Sequence, residues 1–149
     1  MMPRYYTLNI SFVFAITLVF APGVALAQQA PLSPGDQQRI QEVIRSQMAA
    51  FQRGDEEAAF SYASPLIRSQ FRTPTHFIEM VKRGYRPVYR PRDVKFLELN
   101  EHEGEVVQKV WIIGPDDVPV NAFYIMERQR DGVWKIGGCI LVRPKRETI

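Results

Sequence analysis

The chain has 149 residues, of which 46% are hydrophobic and 23% are charged, and this balance is typical of one folded domain. Its single cysteine excludes a disulfide framework and a cysteine-based zinc or iron–sulfur site. The formal net charge of +3 falls to +2 without residues 1–27, which contain one basic and no acidic residue. So small a charge does not predict nucleic acid as a partner.

Residues 1–27 are predicted to be a signal peptide that is cut after Ala27. Arg4 supplies a positive start, the run Ile10–Ala21 is apolar, and Ala25 and Ala27 provide small residues before the cut. The apolar run has twelve residues, whereas crossing a bilayer takes about 20, and an uncleaved anchor is the alternative. We therefore expect an exported protein, periplasmic or secreted, whose mature chain has no transmembrane segment.

The mature chain is predicted to comprise a flexible leader at 28–32, a single domain at 33–143 and a flexible basic tail at 144–149. Ser33 fits a helix N-cap because Pro34 and Asp36 follow it in the first turn. Apolar residues spaced by three and four continue this helix to Phe51, and Gly54 ends it. The same signals predict three further helical segments, at 56–63, 65–71 and 75–83.

The chain changes character at Tyr85–Pro91, where two X–Pro steps predict an extended segment. Turn signals then separate four predicted strands, at Asp93–Asn100, Glu105–Ile113, Val118–Arg128 and Val133–Val142. Short connections between successive strands predict an antiparallel meander. Helices followed by strands predict an α+β fold, with the N-terminal helices packed on one face of a four-stranded antiparallel sheet.

Both faces of this predicted sheet carry apolar side chains, although a sheet covered on one side only should alternate apolar and polar residues. Both alternating sets of Val106–Ile113 are largely apolar. Strict alternation in the last strand places Val133, Cys139 and Leu141 opposite Trp134, Ile136, Ile140 and Val142. We therefore predict a homodimer through the outer sheet face. A strongly curled sheet that encloses its own core would weaken this prediction.

Two short segments resemble sequences found in the nuclear transport factor 2-like, or cystatin-like, architecture. Phe51–Ala58 looks like the segment in which a Gly-Asp pair separates the first two helices, and Asp131–Ile136 looks like the start of the final strand. The mature chain also resembles an exported bacterial family labelled domain of unknown function 4864, through Phe60–Pro65, Phe77–Tyr89 and Trp134–Val142. The resemblance implies a cone in which a curved sheet wraps around a long helix and leaves a pocket. It implies no particular reaction, because this architecture hosts enzymes and binding proteins alike.

Few residues suggest catalysis or metal binding. His102 lies between two glutamates in a turn, where metal binding competes with plain solvation, and no further histidine accompanies it at ligand spacing. Cys139 lies in an apolar strand, a setting typical of a small buried hydrophobe rather than a nucleophile. The sequence therefore predicts no metal, no cofactor and no catalytic set.

The segment Pro65–Lys95 has eight basic and two acidic residues, with aromatic residues among them. Arginine side chains suit carboxylates and phosphates, and a neighbouring aromatic ring can hold an apolar body. The alternative is a solvated helix face on which arginine stems cover apolar surface. The binding hypothesis places a small anionic ligand at the rim and inside of the cone, on Tyr85, Arg86, Tyr89, Arg90 and Tyr124.

The sequence thus favours a non-enzymatic module that binds a small ligand or a protein partner. One alternative is an isomerase- or hydrolase-like enzyme that uses Tyr124, Glu98 or His76 for acid–base catalysis. The other alternative is a purely structural dimer.

Overall fold

A computed structural model describes residues 31–144, in which five helices precede four strands. The predicted signal peptide and residues 145–149 of the predicted tail lie outside the described residues. The helices are α1 (Pro34–Arg53), α2 (Glu56–Ser61), α3 (Pro65–Phe71), α4 (Pro74–Gly84) and α5 (Arg86–Tyr89). The strands are β1 (Asp93–His102), β2 (Glu105–Ile113), β3 (Pro119–Arg128) and β4 (Trp134–Val142).

The long helix α1 begins at the predicted cap. An Oδ atom of Asp36 accepts hydrogen bonds of 2.7 Å from the backbone N–H and the hydroxyl of Ser33, so the first turn closes on itself. Gly54 ends the helix in the left-handed region, with a φ of 73°, where a glycine is not strained. Ile40 and Ile44 are fully buried and direct one face of α1 into the core.

The four strands form one antiparallel sheet in the order β1-β2-β3-β4, and the sheet stays open because β1 and β4 do not pair. Its inner face, packed against the helices, holds alternate residues of β2 and β3. The central ones, Val110, Ile112 and Ala122, are fully buried. Helices packed on one face of an antiparallel sheet confirm the predicted α+β class.

A bulge in β4 corrects the face assignment made from strict alternation. Met126 pairs with Ile136 and Ile125 pairs with Gly138, so Gly137 is one extra residue. The extra residue reverses the alternation behind it. Residues 139 and 141 therefore join Trp134 and Ile136 on the inner face, and residues 140 and 142 lie on the outer face.

The segment predicted to be extended contains a short helix instead, because Arg86–Tyr89 forms α5. Pro87 lies in the first turn, where a missing N–H leaves no hydrogen bond unmade. Val88 is buried, and the ring of Tyr89 lies 5.8 Å from that of Phe51. Burial of these side chains outweighs the preference for extended backbone before a proline.

Candidate functional site

A cavity of about 320 Å³ lies between the helices and the inner face of β3 and β4. Its wall is mainly apolar, with side chains from α1, α3, α4, α5 and both strands. No charged side chain of residues 31–144 lines it. Its polar lining residues are Gln47, Gln70, Tyr85, Tyr124 and Cys139.

Phe77 of α4 organises the helical wall of the cavity. Its ring centre lies 6.2 Å from Phe51, 5.4 Å from Phe60 and 5.7 Å from Phe71, so one ring contacts three others from α1, α2 and α3. Tilted and edge-on contacts of this kind add to the energy of burial. Thr73 is the N-cap of the helix that carries Phe77, and its hydroxyl accepts a hydrogen bond from the backbone N–H of His76.

Tyr124 lies in the cavity wall, at the middle of β3. Its side chain is 1% exposed, and its hydroxyl has no hydrogen-bond partner within residues 31–144. Burial, with a smaller contribution from Cys139, raises the pKa of this phenol well above its usual value, so the hydroxyl stays neutral. A buried hydroxyl without a partner costs about 1–3 kcal/mol.

Tyr85 lines the same cavity but its hydroxyl is paired. It donates a 3.0 Å hydrogen bond to the backbone carbonyl of Cys139, on the free edge of β4. Burial raises the pKa of Tyr85 and raises that of the Cys139 thiol to about 12. The thiol therefore stays protonated at neutral pH, which makes it a poor nucleophile.

Helix α3 is the least buried helix around the cavity. Its N-cap Ser64 accepts a hydrogen bond from the backbone N–H of Ile67, yet none of its seven residues is buried. Ile67 and Phe71 contact the core from one side, whereas Leu66 between them and the cap is 68% exposed. The chain before α3 is held to β4, because Ser64 donates its N–H to the carbonyl of Ile136 at 2.8 Å.

The structure brings together two of the five predicted ligand-binding residues, Tyr85 and Tyr124. Arg86 lines a separate depression of about 290 Å³, between α4 and the β2–β3 turn. Tyr89 packs on the core, and Arg90 lies over the Tyr89 ring while it donates a 2.6 Å hydrogen bond to the carbonyl of Gln52. Ligand binding by all five residues stays a prediction.

The other two residues considered for acid–base catalysis lie away from the cavity. His76 is exposed in the first turn of α4. Glu98 is exposed on β1, where a hydrogen bond with its own backbone and the ammonium of Lys109, 3.5 Å away, lower its pKa. Tyr124 therefore has neither of them beside it in the cavity wall.

Sequence reasoning missed Gln47, which lines the cavity from α1. Its side chain is 3% exposed, and its Nε2 donates a 3.1 Å hydrogen bond to the carbonyl of Ala59. The signal was present, because Gln47 is three residues after Ile44 and four before Phe51, on the apolar stripe of α1. A polar residue on such a stripe indicates a buried hydrogen bond or a site.

The outer sheet face carries the apolar side chains that suggested a dimer. Ile140 is 55% exposed and Val142 is 45% exposed, next to the partly exposed rings of Trp111 and Phe123. The ammonium of Lys95 lies 5.0 Å from the centre of the Trp111 ring.

Within residues 31–144 no helix is long and apolar enough to cross a bilayer.

Comparison with known proteins places the chain in a family. No curated protein and no solved structure matches it, so the likeness to nuclear transport factor 2-like proteins stays a prediction. The family model described as "Domain of unknown function (DUF4864)" matches residues 34–149, which include all the helices and strands described above. The chain belongs to this DUF4864 family.

Proposed function

We propose that this chain is a binding module that holds a small ligand in the cavity between its helices and β3–β4. The observation that carries the proposal is the hydroxyl of Tyr124, buried in the wall without a hydrogen-bond partner in the described residues. A volume of about 320 Å³ lies at the lower end of the range for small-molecule pockets. A ligand would fill this space and would supply the hydrogen-bond partner that the hydroxyl of Tyr124 lacks.

The chemistry of the wall favours binding over catalysis. Acid–base catalysis works best with a group that titrates near the working pH. The lining residues that the structure describes supply no carboxylate and no imidazole, and burial moves the pKa values of Tyr124 and Cys139 away from neutrality. Uncharged amides and phenols in an apolar wall orient a ligand without changing it.

A pair of tryptophan variants tests the proposal. Ile67→Trp fills the cavity from α3, whereas Leu66→Trp adds the same bulk at an exposed neighbour outside it. We expect the neutral fluorescent probe 1-aminonaphthalene, which has 11 non-hydrogen atoms, to bind the natural protein and Leu66→Trp, and to bind Ile67→Trp at least tenfold more weakly. Equal binding by both variants, or no binding by the natural protein, would contradict the proposal.

We also propose that the protein is exported, on the evidence of the sequence of residues 1–27 alone. Expression in a bacterium with a periplasm, followed by mass measurement of the periplasmic fraction, tests this. A mature chain that starts at Gln28 is expected. A chain that keeps residues 1–27 and stays with the membrane would support the uncleaved anchor instead.

A second copy of the chain is the proposed cover of the outer sheet face. Two identical copies carry the same charges on this face, and unpaired charges of the same sign would repel. Self-association is therefore favoured when the charges on the face are paired within each copy. On this face the ammonium of Lys109 lies 3.5 Å from the carboxylate of Glu98, so these two charges offset each other within one copy. Sedimentation velocity should show a dimer that Phe123→Glu converts to a monomer, and a monomeric natural protein at high concentration would refute it.

A further inference from the structure

We infer that the cavity selects an uncharged ligand with an apolar body and one hydrogen-bond acceptor, and that the hydroxyl of Tyr124 binds this acceptor. The inference rests on the proposed binding function and adds the chemical class of the ligand. It differs from the anionic ligand expected from the sequence, which was placed at the rim and inside of the cone and stays a prediction.

The absence of charge in the wall argues for a neutral ligand. Every side chain that lines the cavity within residues 31–144 is apolar or uncharged at neutral pH. An ionised carboxylate or ammonium would leave water here without a partner of opposite charge, and such burial is strongly unfavourable. The nearby arginines do not offset this cost, because Arg86 lines the other depression and Arg90 is bonded to Gln52.

The two phenols of the wall differ in what they can still bind. Tyr85 already donates a hydrogen bond to the backbone carbonyl of Cys139. Tyr124 has no such acceptor among residues 31–144. A phenol is a good donor, so a ketone, ester, ether or alcohol oxygen on the ligand would complete it. An analogue without the oxygen would leave the hydroxyl unpaired and would bind less well.

The volume limits the size of the ligand. A water molecule occupies about 30 Å³ in the liquid, so a cavity of this volume holds a ligand of about ten to twelve non-hydrogen atoms. The wall contributes aromatic rings of Phe51, Phe71 and Phe77, which suit a flat or aliphatic body. A phenyl group with a short chain therefore makes a suitable series of probes.

Four probes of nearly equal size separate the contributions of charge and of the acceptor: butylbenzene, butyrophenone, 4-phenylbutyrate and 4-phenylbutylammonium. Isothermal titration calorimetry of each is done on the natural protein and on Tyr124→Phe. The control is Tyr62→Phe, which removes a hydroxyl from a partly buried tyrosine outside the cavity wall.

For the natural protein we expect butyrophenone to bind about three- to tenfold more tightly than butylbenzene. Both ions should bind at least tenfold more weakly than butyrophenone. Tyr124→Phe should abolish the advantage of the ketone and leave butylbenzene binding intact, whereas Tyr62→Phe should keep that advantage.

Two results would overturn the inference while leaving the proposed function in place. One is binding of 4-phenylbutyrate or of the ammonium probe as tight as that of the ketone. The other is an advantage of the ketone that persists in Tyr124→Phe. Failure of all four probes and of 1-aminonaphthalene to bind the natural protein would overturn the inference together with the proposed function.

Discussion

The first turn of α1 and the cavity beside its last turns bury polar groups in opposite ways. At the first turn, Asp36 is 3% exposed and both of its carboxylate oxygens are occupied. One accepts a 2.9 Å hydrogen bond from the indole of Trp134, and the other accepts bonds from Ser33 and Arg128. At the cavity, Tyr124 is equally buried and its hydroxyl has no partner among residues 31–144.

The difference separates a structural polar group from a candidate site. The bonds to Asp36 join the start of α1 to the end of β3 and the start of β4, so they fix the helix on the sheet. A fully bonded group has nothing left to offer a ligand. Tyr124 costs the fold free energy as it stands, and a ligand could recover that cost. Five variants or conditions, ordered by the expected change in stability, test whether Asp36 is a structural group and Tyr124 belongs to a binding site.

Asp36→Ala should give the largest loss of stability, about 2–4 kcal/mol, because the Trp134 indole loses its buried acceptor and the first turn of α1 loses its capping carboxylate. Urea unfolding followed by tryptophan fluorescence measures it. Glu101→Gln, an exposed carboxylate on β1, is the control and should change the free energy of unfolding by less than about 0.5 kcal/mol. Equal effects of the two variants would show that the Asp36 cluster does not hold the fold.

Acid should remove part of the same stabilisation. Hydrogen bonds from Trp134 and Ser33, with the charge of Arg128, hold the pKa of Asp36 well below its ordinary value of 3.8, although burial opposes them. Folding therefore favours the carboxylate, and its contribution is complete above pH 3.8 and is lost as the pH falls further. The stability difference between the natural protein and Asp36→Asn should narrow over this range. A constant difference would contradict the prediction.

Tyr124→Phe should stabilise the ligand-free protein by about 1 kcal/mol, because it removes a buried hydroxyl that has no described partner. Thermal unfolding of the two proteins without added ligand measures this change. A clear destabilisation would mean that the hydroxyl is bonded in solution, and it would remove the main support for the site.

Tyr85→Phe should have the opposite sign at the same cavity. It removes the donor to the Cys139 carbonyl and should lower the free energy of unfolding by about 0.5–1 kcal/mol. Measured beside Tyr124→Phe, it shows whether pairing alone sets the sign for two phenols in one wall. The same sign for both variants would show that the presence or absence of a hydrogen-bond partner does not decide the effect of removing a hydroxyl from this wall.

Arg39→Gln should have the smallest effect, below about 0.5 kcal/mol. The guanidinium of Arg39 lies 3.3 Å from Asp36, but its side chain is 64% exposed, so water competes for the bond. The same urea experiment measures it. A loss as large as that of Asp36→Ala would show that an exposed ion pair holds the first turn.

Local signals in the sequence were sufficient to predict most of the fold. The strand Glu105–Ile113 has its predicted bounds because alternation runs between two clear turns. The cap of α1 was equally readable, since Ser33, Pro34 and Asp36 lie within one turn. The wrong prediction of the faces of β4 has its cause in a single residue. Gly137 adds a bulge that reverses the faces of β4, and alternation carries no sign of it.

Only part of the candidate site could be predicted, because its geometry depends on contacts between distant parts of the chain. The sequence marks Tyr124 as a polar residue in an apolar strand, but it does not show that the hydroxyl lacks a partner. Asp36 and Trp134 are 98 residues apart, and no local pattern relates them. The charged segment was visible, yet the fold directs Arg86 and Arg90 away from the cavity.

The lack of buried residues in α3 has a consequence for how the cavity exchanges its contents. Elements with little buried surface open at a low free-energy cost, well before the whole domain unfolds. Hydrogen bonds from Ser64 and Tyr85 hold the chain to β4 on the sheet side of the cavity. Local unfolding of Pro65–Phe71 is therefore the route into the cavity that costs the least free energy. Amide hydrogens of this helix should exchange with deuterium faster than those of α1, and a bound ligand should slow their exchange.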